Sequence, residues 1–483
     1  MMRIPAFAYL TTQLAVSLIC VSCANLSRNA RRSNEAQPAA NDTIVGTGNL
    51  AKTLARSTTY GAIRQPITTT ILGVSVLWNR PHEAISSNMP LKIDLAVQPA
   101  EIPGTVEFEK LLDHKGIPKA ESGKLTWLVD GEHFFPELNR QIDAAQKSID
   151  AQVFIFDNDD ISVACADRLK GRSREVKTHI LFDDLGSTFA HNTPPHTLPP
   201  AGFTPPADMA KYLEHDSKVS ARRSINPWLV CDHTKLFVFD RKTAILGGMN
   251  IGREYYSEWH DLMVKVEGPV VRTLSKDFNY SWRKAGPWGD FGLLLHGPSH
   301  VRRPEPMPGE IPVRVMRTDP AAFRYEILKA TMLAIRAART RVWVENPYLA
   351  NNEIVSALAA ASKRGVDVRV ILPSNGDSGI MDLANLSTAK SLIEAGVKVY
   401  AYPKMTHMKV MICDDWASIG SANFDTLSMR INRELNLAFN DPGEVRALEQ
   451  KVFRRDFQVC SRLSLKQTES LLSTIVGRIA NQL

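Results

Sequence analysis

Two segments of this chain place a histidine and a lysine two residues apart in a largely apolar run. The first reads His233-Thr234-Lys235-Leu236-Phe237-Val238-Phe239-Asp240 and then Gly247-Gly248-Met249-Asn250. The second reads His407-Met408-Lys409-Val410-Met411-Ile412-Cys413-Asp414 and then Gly420-Ser421-Ala422-Asn423. Each run reads as a strand, whose period of two puts the imidazole and the ammonium on one face. A core strand carries apolar groups at such positions, because burying an unpaired lysine is costly. Two such strands, each followed by a Gly-Gly/Ser-x-Asn turn, therefore point to chemistry on an anion. An imidazole can attack or move a proton, while lysine and asparagine hold oxygens on which charge develops. Asp261 and Glu434 each lie eleven residues after the asparagine of their own segment. A carboxylate returning beside a reactive histidine accepts its Nδ1–H, fixes the tautomer and stabilises the imidazolium.

The elements that must position these residues alternate between strand and helix. Leu125 to Val129, Ala151 to Phe156 and His179 to Phe182 read as strands, and Phe135 to Lys147 has helical spacing. The same order returns with a helix over Arg324–Ala338, a strand over Arg341–Val344, a helix over Glu353–Lys363, a strand over Val366–Leu372 and a helix over Ser387–Glu394. This is an α/β pattern with an internal duplication. The halves are expected at 119–300 and 311–465, with a proline-rich connector at 301–310 and a C-terminal helix at 466–483.

The 483 residues suffice for two such halves, and 44% hydrophobic with 23% charged residues describes a folded globular protein. The net charge of +7 suggests an anionic partner without identifying it. Met1 to Ala24 carries one basic residue, Arg3, and an uncharged stretch interrupted by Thr11, Thr12 and Gln13. It reads as a signal peptide rather than a spanning helix. Cleavage before a lipid-modified Cys23 and simple cleavage beside small residues both fit and both imply export, with an uncleaved anchor as the alternative. Residues 25–118 read as a tether, over Ser27–Ser57, and an N-terminal region without a motif. Cys165, Cys231, Cys413 and Cys460 show no metal-ligand spacing; Cys231 and Cys413 are expected as buried thiols, with a disulfide as the alternative.

The pattern HxKxxxxD followed by G[GS]xN resembles the phospholipase D superfamily over about Lys124 to Leu465. Within it the chain is similar to bacterial cardiolipin synthases, through Gly248-Met249-Asn250-Ile251-Gly252-Arg253-Glu254-Tyr255, Val266-Glu267-Gly268-Pro269, Glu345-Asn346-Pro347-Tyr348, Arg364-Gly365-Val366-Asp367-Val368, Asn423-Phe424-Asp425 and Asn432-Arg433-Glu434-Leu435-Asn436. The resemblance implies two mixed-sheet α-β-α halves that face each other across one cleft. It implies that one histidine, by family habit His233, attacks phosphorus to form a phosphohistidine while the other handles the leaving alcohol's proton; the residues themselves do not distinguish His233 from His407. Lys235, Lys409, Asn250, Asn423 and Ser421 are expected to bind phosphate, and Asp240 and Asp414 to brace their motifs. Two departures stand out. Gly248 replaces the serine of the second motif, and the second aspartate-to-glycine interval is one residue shorter, which a tighter turn or a role for Asp415 would explain. No metal and no cofactor are needed, since lysines and histidines meet the phosphate charge. The expected partner is an anionic phospholipid at a membrane surface, with cardiolipin as product of transfer or phosphatidic acid as product of hydrolysis. A secreted nuclease is disfavoured, because aromatics are 7% and no basic run is interleaved with them. A catalytically dead scaffold is disfavoured by the two intact His-Lys pairs.

Overall fold

The computed structural model describes residues 42–85, 95–193, 197–295 and 304–469. The expected leader with Cys23, and residues 470–483 of the expected C-terminal helix, lie outside them; Leu465–Thr468 forms one capped turn. Seven strands come first: β1 (Glu121–Val129), β2 (Ser148–Val153), β3 (Lys177–Asp183), β4 (Ser220–Ser224), β5 (Leu236–Phe239), β6 (Thr243–Gly247) and β7 (Leu262–Glu267). Then follow β8 (Ile311–Asp319), the short β9 (Arg324–Tyr325), β10 (Arg341–Glu345), β11 (Asp367–Pro373), β12 (Lys398–Tyr402), β13 (Val410–Cys413), β14 (Trp416–Gly420), β15 (Glu434–Phe439) and the short β16 (Ser461–Arg462).

Outward from the centre, the orders β1-β7-β6-β5-β2-β3-β4 and β8-β15-β14-β13-β10-β11-β12 correspond strand for strand. The duplication is thus visible as a pseudo-two-fold between β1 and β8. These two pair antiparallel, Glu121 opposite Val313, and join the halves into one mixed sheet. Helices cover both faces, and three apolar cores result. One lies on the outer face of each half, and a third is shared between the halves.

The motif strands show why their sequence is continuously apolar. Leu236 and Val238 of β5 point into the shared core, while Phe237 and Phe239 point into the outer core of the first half. In β13, Val410 and Ile412 enter the shared core, and Met411 and Cys413 the outer core of the second half. Both faces are buried, so no polar alternation is expected. Each fully buried side chain of this size stabilises by about 1.5–3 kcal/mol. The four cysteines 165, 231, 413 and 460 are free thiols; Cys165 and Cys413 are buried, whereas Cys231 is only half-buried.

The expected tether is corrected in part. Asp42–Arg64 is a helix, α1, followed at once by α2 (Pro66–Ile85). Neither shows a strong local apolar pattern, because polar tertiary contacts hold them. Arg56 grips Asp184 at 2.6 and 2.7 Å, Gln65 Nε2 donates to the Lys284 carbonyl at 2.8 Å, and Asp290 accepts from Thr68 N and Oγ1 at 2.9 and 2.6 Å. Leu72 anchors α2 against Val230 and Ile431. No helix among the described residues is long and apolar enough to cross a membrane.

The shorter interval in the second motif is a tighter turn. Three residues, 240–242, connect Phe239 to its partner Thr243, whereas only 414 and 415 connect Cys413 to Trp416. Asp240 and Asp414 both adopt positive φ, 53° and 48°, a conformation aspartate tolerates better than most residues. The Asp240 carboxylate accepts from the backbone N–H groups of Gln146, Lys147 and Ser148 at 2.6–3.1 Å. Asp414 accepts from those of Arg339, Thr340 and Arg341 and from Thr340 Oγ1, at 2.6–3.0 Å. Asp415, with a side chain 67% exposed, takes no part in this brace. Each aspartate ties a motif hairpin to the start of the neighbouring strand. Asp414→Ala should therefore lower stability by roughly 2–4 kcal/mol, since it strands donors that bonded a carboxylate. A urea midpoint within error of wild type would show that the brace is dispensable.

Candidate active site

The His-x-Lys residues stand just ahead of the ladder rather than within it, since β5 begins at Leu236 and β13 at Val410. There each motif leaves its own half and pairs with the other. Asp232 bridges Arg433 in parallel, and Thr406 bridges His260. His233 N donates to the Arg433 carbonyl at 2.9 Å, and Arg433 N to that of Cys231 at 2.9 Å. Equivalently, His407 N donates to the His260 carbonyl at 2.7 Å, and His260 N to that of Met405 at 3.0 Å. A parallel bridge sets the next residues of the two strands side by side, so His233 meets Glu434 and His407 meets Asp261.

The side chains follow that register. His233 Nδ1 lies 2.9 and 3.1 Å from the Glu434 carboxylate oxygens, and His407 Nδ1 lies 2.7 Å from Asp261 Oδ2. The orienting acid of each half thus serves the histidine of the other. Each lysine folds back onto the carbonyl of its own histidine, Lys235 at 2.8 Å and Lys409 at 2.6 Å, which aims its ammonium and leaves further N–H groups for a substrate anion.

The serine expected to bind phosphate does something else. Ser421 Oγ donates to Glu434 Oε2 at 2.5 Å and accepts from Leu435 N at 2.9 Å. At the equivalent place a Cβ on Gly248 would sit 2.1 Å from Asp261 Oδ1, and that oxygen accepts instead from Leu262 N at 2.7 Å. The missing hydroxyl therefore leaves room for the shorter acid. Asn250 is also occupied, accepting from Ile155 N at 3.0 Å and donating to Tyr255 Oη at 2.7 Å. Asn423 bonds the Asp425 carboxyl through its amide, while its Oδ1 is buried with no partner.

Burial sets the electrostatics. It holds both imidazoles well below their ordinary value, helped by the two lysines, so both rings are neutral at pH 7. Burial also pushes Lys235 down to about 7 and Lys409 to about 8, against the attraction of Glu434 and Asp261. It lifts Asp261 to about 7 and Glu434 to about 8, against the pull of the same lysines. A phosphodiester anion entering here would restore the lysines' charge.

Several contributors escape the motif reading. Phe154 packs edge-on to His233 at 4.7 Å, and Tyr255 and Trp259 lie 5.5 and 5.2 Å from His407. Tyr255 falls in a stretch quoted for the family resemblance; Phe154 and Trp259 carry no local signal. Asp425, whose carboxyl bonds the Asn423 amide, is another such contributor. It is buried, lifted to about 7 by desolvation, and bonded to Ser428 N at 2.7 Å.

A duplicated sheet that brings two His-Lys pairs together defines a phospholipase D-like fold and site. The family model described as "Cardiolipin synthase, PLD-like domain" matches residues 138–282 and 332–457. Similar proteins include a probable cardiolipin synthase of Bacillus subtilis (strain 168), 30% identical over 348 residues that cover 70% of this chain and 66% of that protein. The chain thus spans just under two thirds of that relative's length. Cardiolipin synthase A of Pseudomonas syringae pv. syringae is 30% identical over 373 residues, 73% of this chain and 72% of that one. Among solved structures, phosphatidylserine synthase of Haemophilus influenzae superposes with a TM-score of 0.60 at 14% identity, covering 77% of this chain and 96% of that one, which shows a common fold. The chain belongs to the cardiolipin synthase family of phospholipase D-like enzymes.

The crossed pairing has a direct consequence. Asp261→Asn and Glu434→Gln should each lower kcat by about a hundredfold or more with little change in KM, because the lost charge acts mainly in the transition state. Asp261→Asn should perturb the ring NMR signals of His407, and Glu434→Gln those of His233. Glu258→Gln is the control, since that acid bonds Thr197 at 2.8 Å away from both histidines. Perturbation of the same-half histidine instead would refute the crossed assignment.

Proposed function

We propose that this enzyme moves a phosphatidyl group from one phospholipid to the hydroxyl of another, giving cardiolipin, through a phosphohistidine. The observation that carries the reading is the pair of buried imidazoles, each fixed through Nδ1 by a carboxylate of the opposite half. Nε2 of each is thereby the reactive atom. His233 Nε2 attacks phosphorus and the P–O bond to the leaving alcohol breaks. The proton for that oxygen comes from the His407–Asp261 pair. With Asp261 protonated, as burial favours by lifting it to about 7, His407 Nε2–H protonates the leaving oxygen while the Asp261 proton passes to Nδ1. In the second step the same nitrogen takes the proton of the incoming hydroxyl, the new P–O bond forms, the P–N bond breaks and His233 is regenerated. Lys235 and Lys409 hold the non-bridging oxygens where negative charge builds. The cardiolipin synthases among its relatives support transfer over hydrolysis.

Labelled phosphatidylglycerol tests the reading: cardiolipin and free glycerol should accumulate. Phosphatidic acid as main product would make the protein a hydrolase instead. His233→Ala, His407→Ala and the double variant should fall to one common floor, at least about a thousandfold down, because the two histidines act as a unit. Ordinary turnover in either single variant would end the two-motif scheme.

The same reading includes a membrane surface as partner, with the exported chain anchored through its leader or Cys23. Ile67, Val74, Leu77 and Trp78 are exposed on α2. Nearby lie exposed Phe291 on the helix Gly289–Leu295, exposed Trp288 just before that helix, and Phe323 beside the turn that packs against α2. Exposed apolar side chains on neighbouring elements suit a lipid interface. Replacing Val74 and Leu77 together with Asp should weaken binding to phosphatidylglycerol vesicles at least about tenfold, while turnover of a short-chain dispersed substrate is unchanged. Undiminished vesicle sedimentation would place the contact elsewhere.

A further inference from the structure

The pseudo-two-fold sets the residue before each orienting acid in a cage of carboxylates, and the two cages differ in charge. Arg433, before Glu434, stands 3.3 Å from Asp232, 2.8 Å from Asp277 and 3.6 Å from Asp319. A second guanidinium, that of Arg317, also grips Asp277. Two arginines there face three acids. His260, before Asp261, has Asp130 at 2.8 Å from Nδ1 and Asp456 at 3.2 Å from Nε2, with Glu345 beside them. One imidazole there faces three acids. Asp130 has a side chain 32% exposed and lies near Lys404, so the buried imbalance is one imidazole against Glu345 and Asp456, which are 0% and 4% exposed. Even an imidazolium leaves one of these charges uncompensated. An isolated charge in such a place is costly unless it is paired or bound to a metal.

The atoms that face one another are also the ones left over. Nδ1 bonds Asp130, and Nε2 faces Asp456 Oδ1 at 3.2 Å as an ion pair that falls short of an aligned hydrogen bond. Thr406 Oγ1 donates to Glu345 Oε1 at 2.5 Å, and Glu345 Oε2 has no partner. Asp456 Oδ2 has none either. An imidazole oriented by a carboxylate, and a carboxylate oriented by a hydroxyl, are the outer-layer supports a metal site uses.

We propose that His260 Nε2, Glu345 and Asp456 bind one divalent transition cation, Zn2+ or Mn2+, with water completing its coordination. One nitrogen and two carboxylates suit these ions better than the all-oxygen shells of calcium or magnesium. The three groups lie within 4.8 Å of one another. Bonds of about 2.0–2.2 Å bring ligand atoms to about 3.4 Å apart, so small side-chain rotations close the site. The ion ties the first half, through His260, to the second, through Glu345 and Asp456. It does so directly behind His407, whose N–H bonds the His260 carbonyl. Its part is structural, and it is independent of the phosphatidyl acceptor.

The rival is protonation of the cluster itself, by a proton on His260, which against the effect of burial Asp130 and Asp456 push up to about 10, and by one held between Glu345 and Asp456. Burial and the facing Asp456 carboxylate do lift Glu345 well above its ordinary value. The full-length protein, stripped with chelator and dialysed, separates the two in a calorimetric titration with Zn2+ and with Mn2+ at pH 7. One equivalent of one of the ions should bind and raise the melting temperature. Glu345→Gln and Asp456→Asn should each weaken that binding by more than about a hundredfold. Thr406→Val, which removes only a supporting hydroxyl, should weaken it about 10–100-fold. No saturable binding to the wild-type chain, or equal affinity in the folded variants, would leave the proton as the occupant and overturn the proposal.

Discussion

The rest of the structure depends on two buried imidazole–carboxylate pairs that cross between the halves. Neither half alone holds a competent histidine, because Glu434 reaches His233 and Asp261 reaches His407. The crossing begins in the backbone, where each motif segment bridges the segment that precedes the other half's acid. The shared core and the β1–β8 pairing hold the halves in the register this demands. Duplication therefore does more than double a fold: it places one copy's orienting group on the other copy's reactive group.

The charges at this junction form a balanced set. Two lysines and two carboxylates are buried together with two neutral rings, and each lysine is drawn down by burial while each acid is drawn up. Such a cluster is sensitive to one added charge. A phosphodiester brings that charge between the two lysines, and its developing transition-state charge falls in a site from which bulk water is excluded, where electrostatic interactions are strong.

Much of this was legible in the sequence, and what was not has identifiable causes. The strands and helices of both halves follow from apolar periodicity, and the repeated His-Lys-Asp and Asn-to-acid spacings pointed to the site residues. The crossing was not legible, since equal spacing in both halves fits same-half and opposite-half pairing alike. The roles of Ser421 and Asn250 depend on neighbours fixed only by folding, Glu434 and Tyr255. The helix α1 was read as tether because its anchors, such as Asp184 for Arg56, lie more than a hundred residues away. The cage of His260, Glu345 and Asp456 is likewise assembled from three distant segments, so no local spacing announces a cluster.

The difference between the two orienting groups argues that the halves have diverged in chemistry as well as in sequence. Glu434 is the longer acid and is steadied by the Ser421 hydroxyl, with both oxygens near His233 Nδ1. Asp261 is shorter, presents one oxygen to His407 and is steadied by a backbone N–H beside Gly248. A side chain at Gly248 and the present position of Asp261 are mutually exclusive, so the first half cannot take the serine of the second while Asp261 stays where it is. The proposed transfer uses the two histidines unequally, one forming a bond to phosphorus and the other only moving a proton. The two unlike carboxylate supports give the rings different surroundings for those tasks, in addition to the asymmetry that a bound phosphodiester itself imposes.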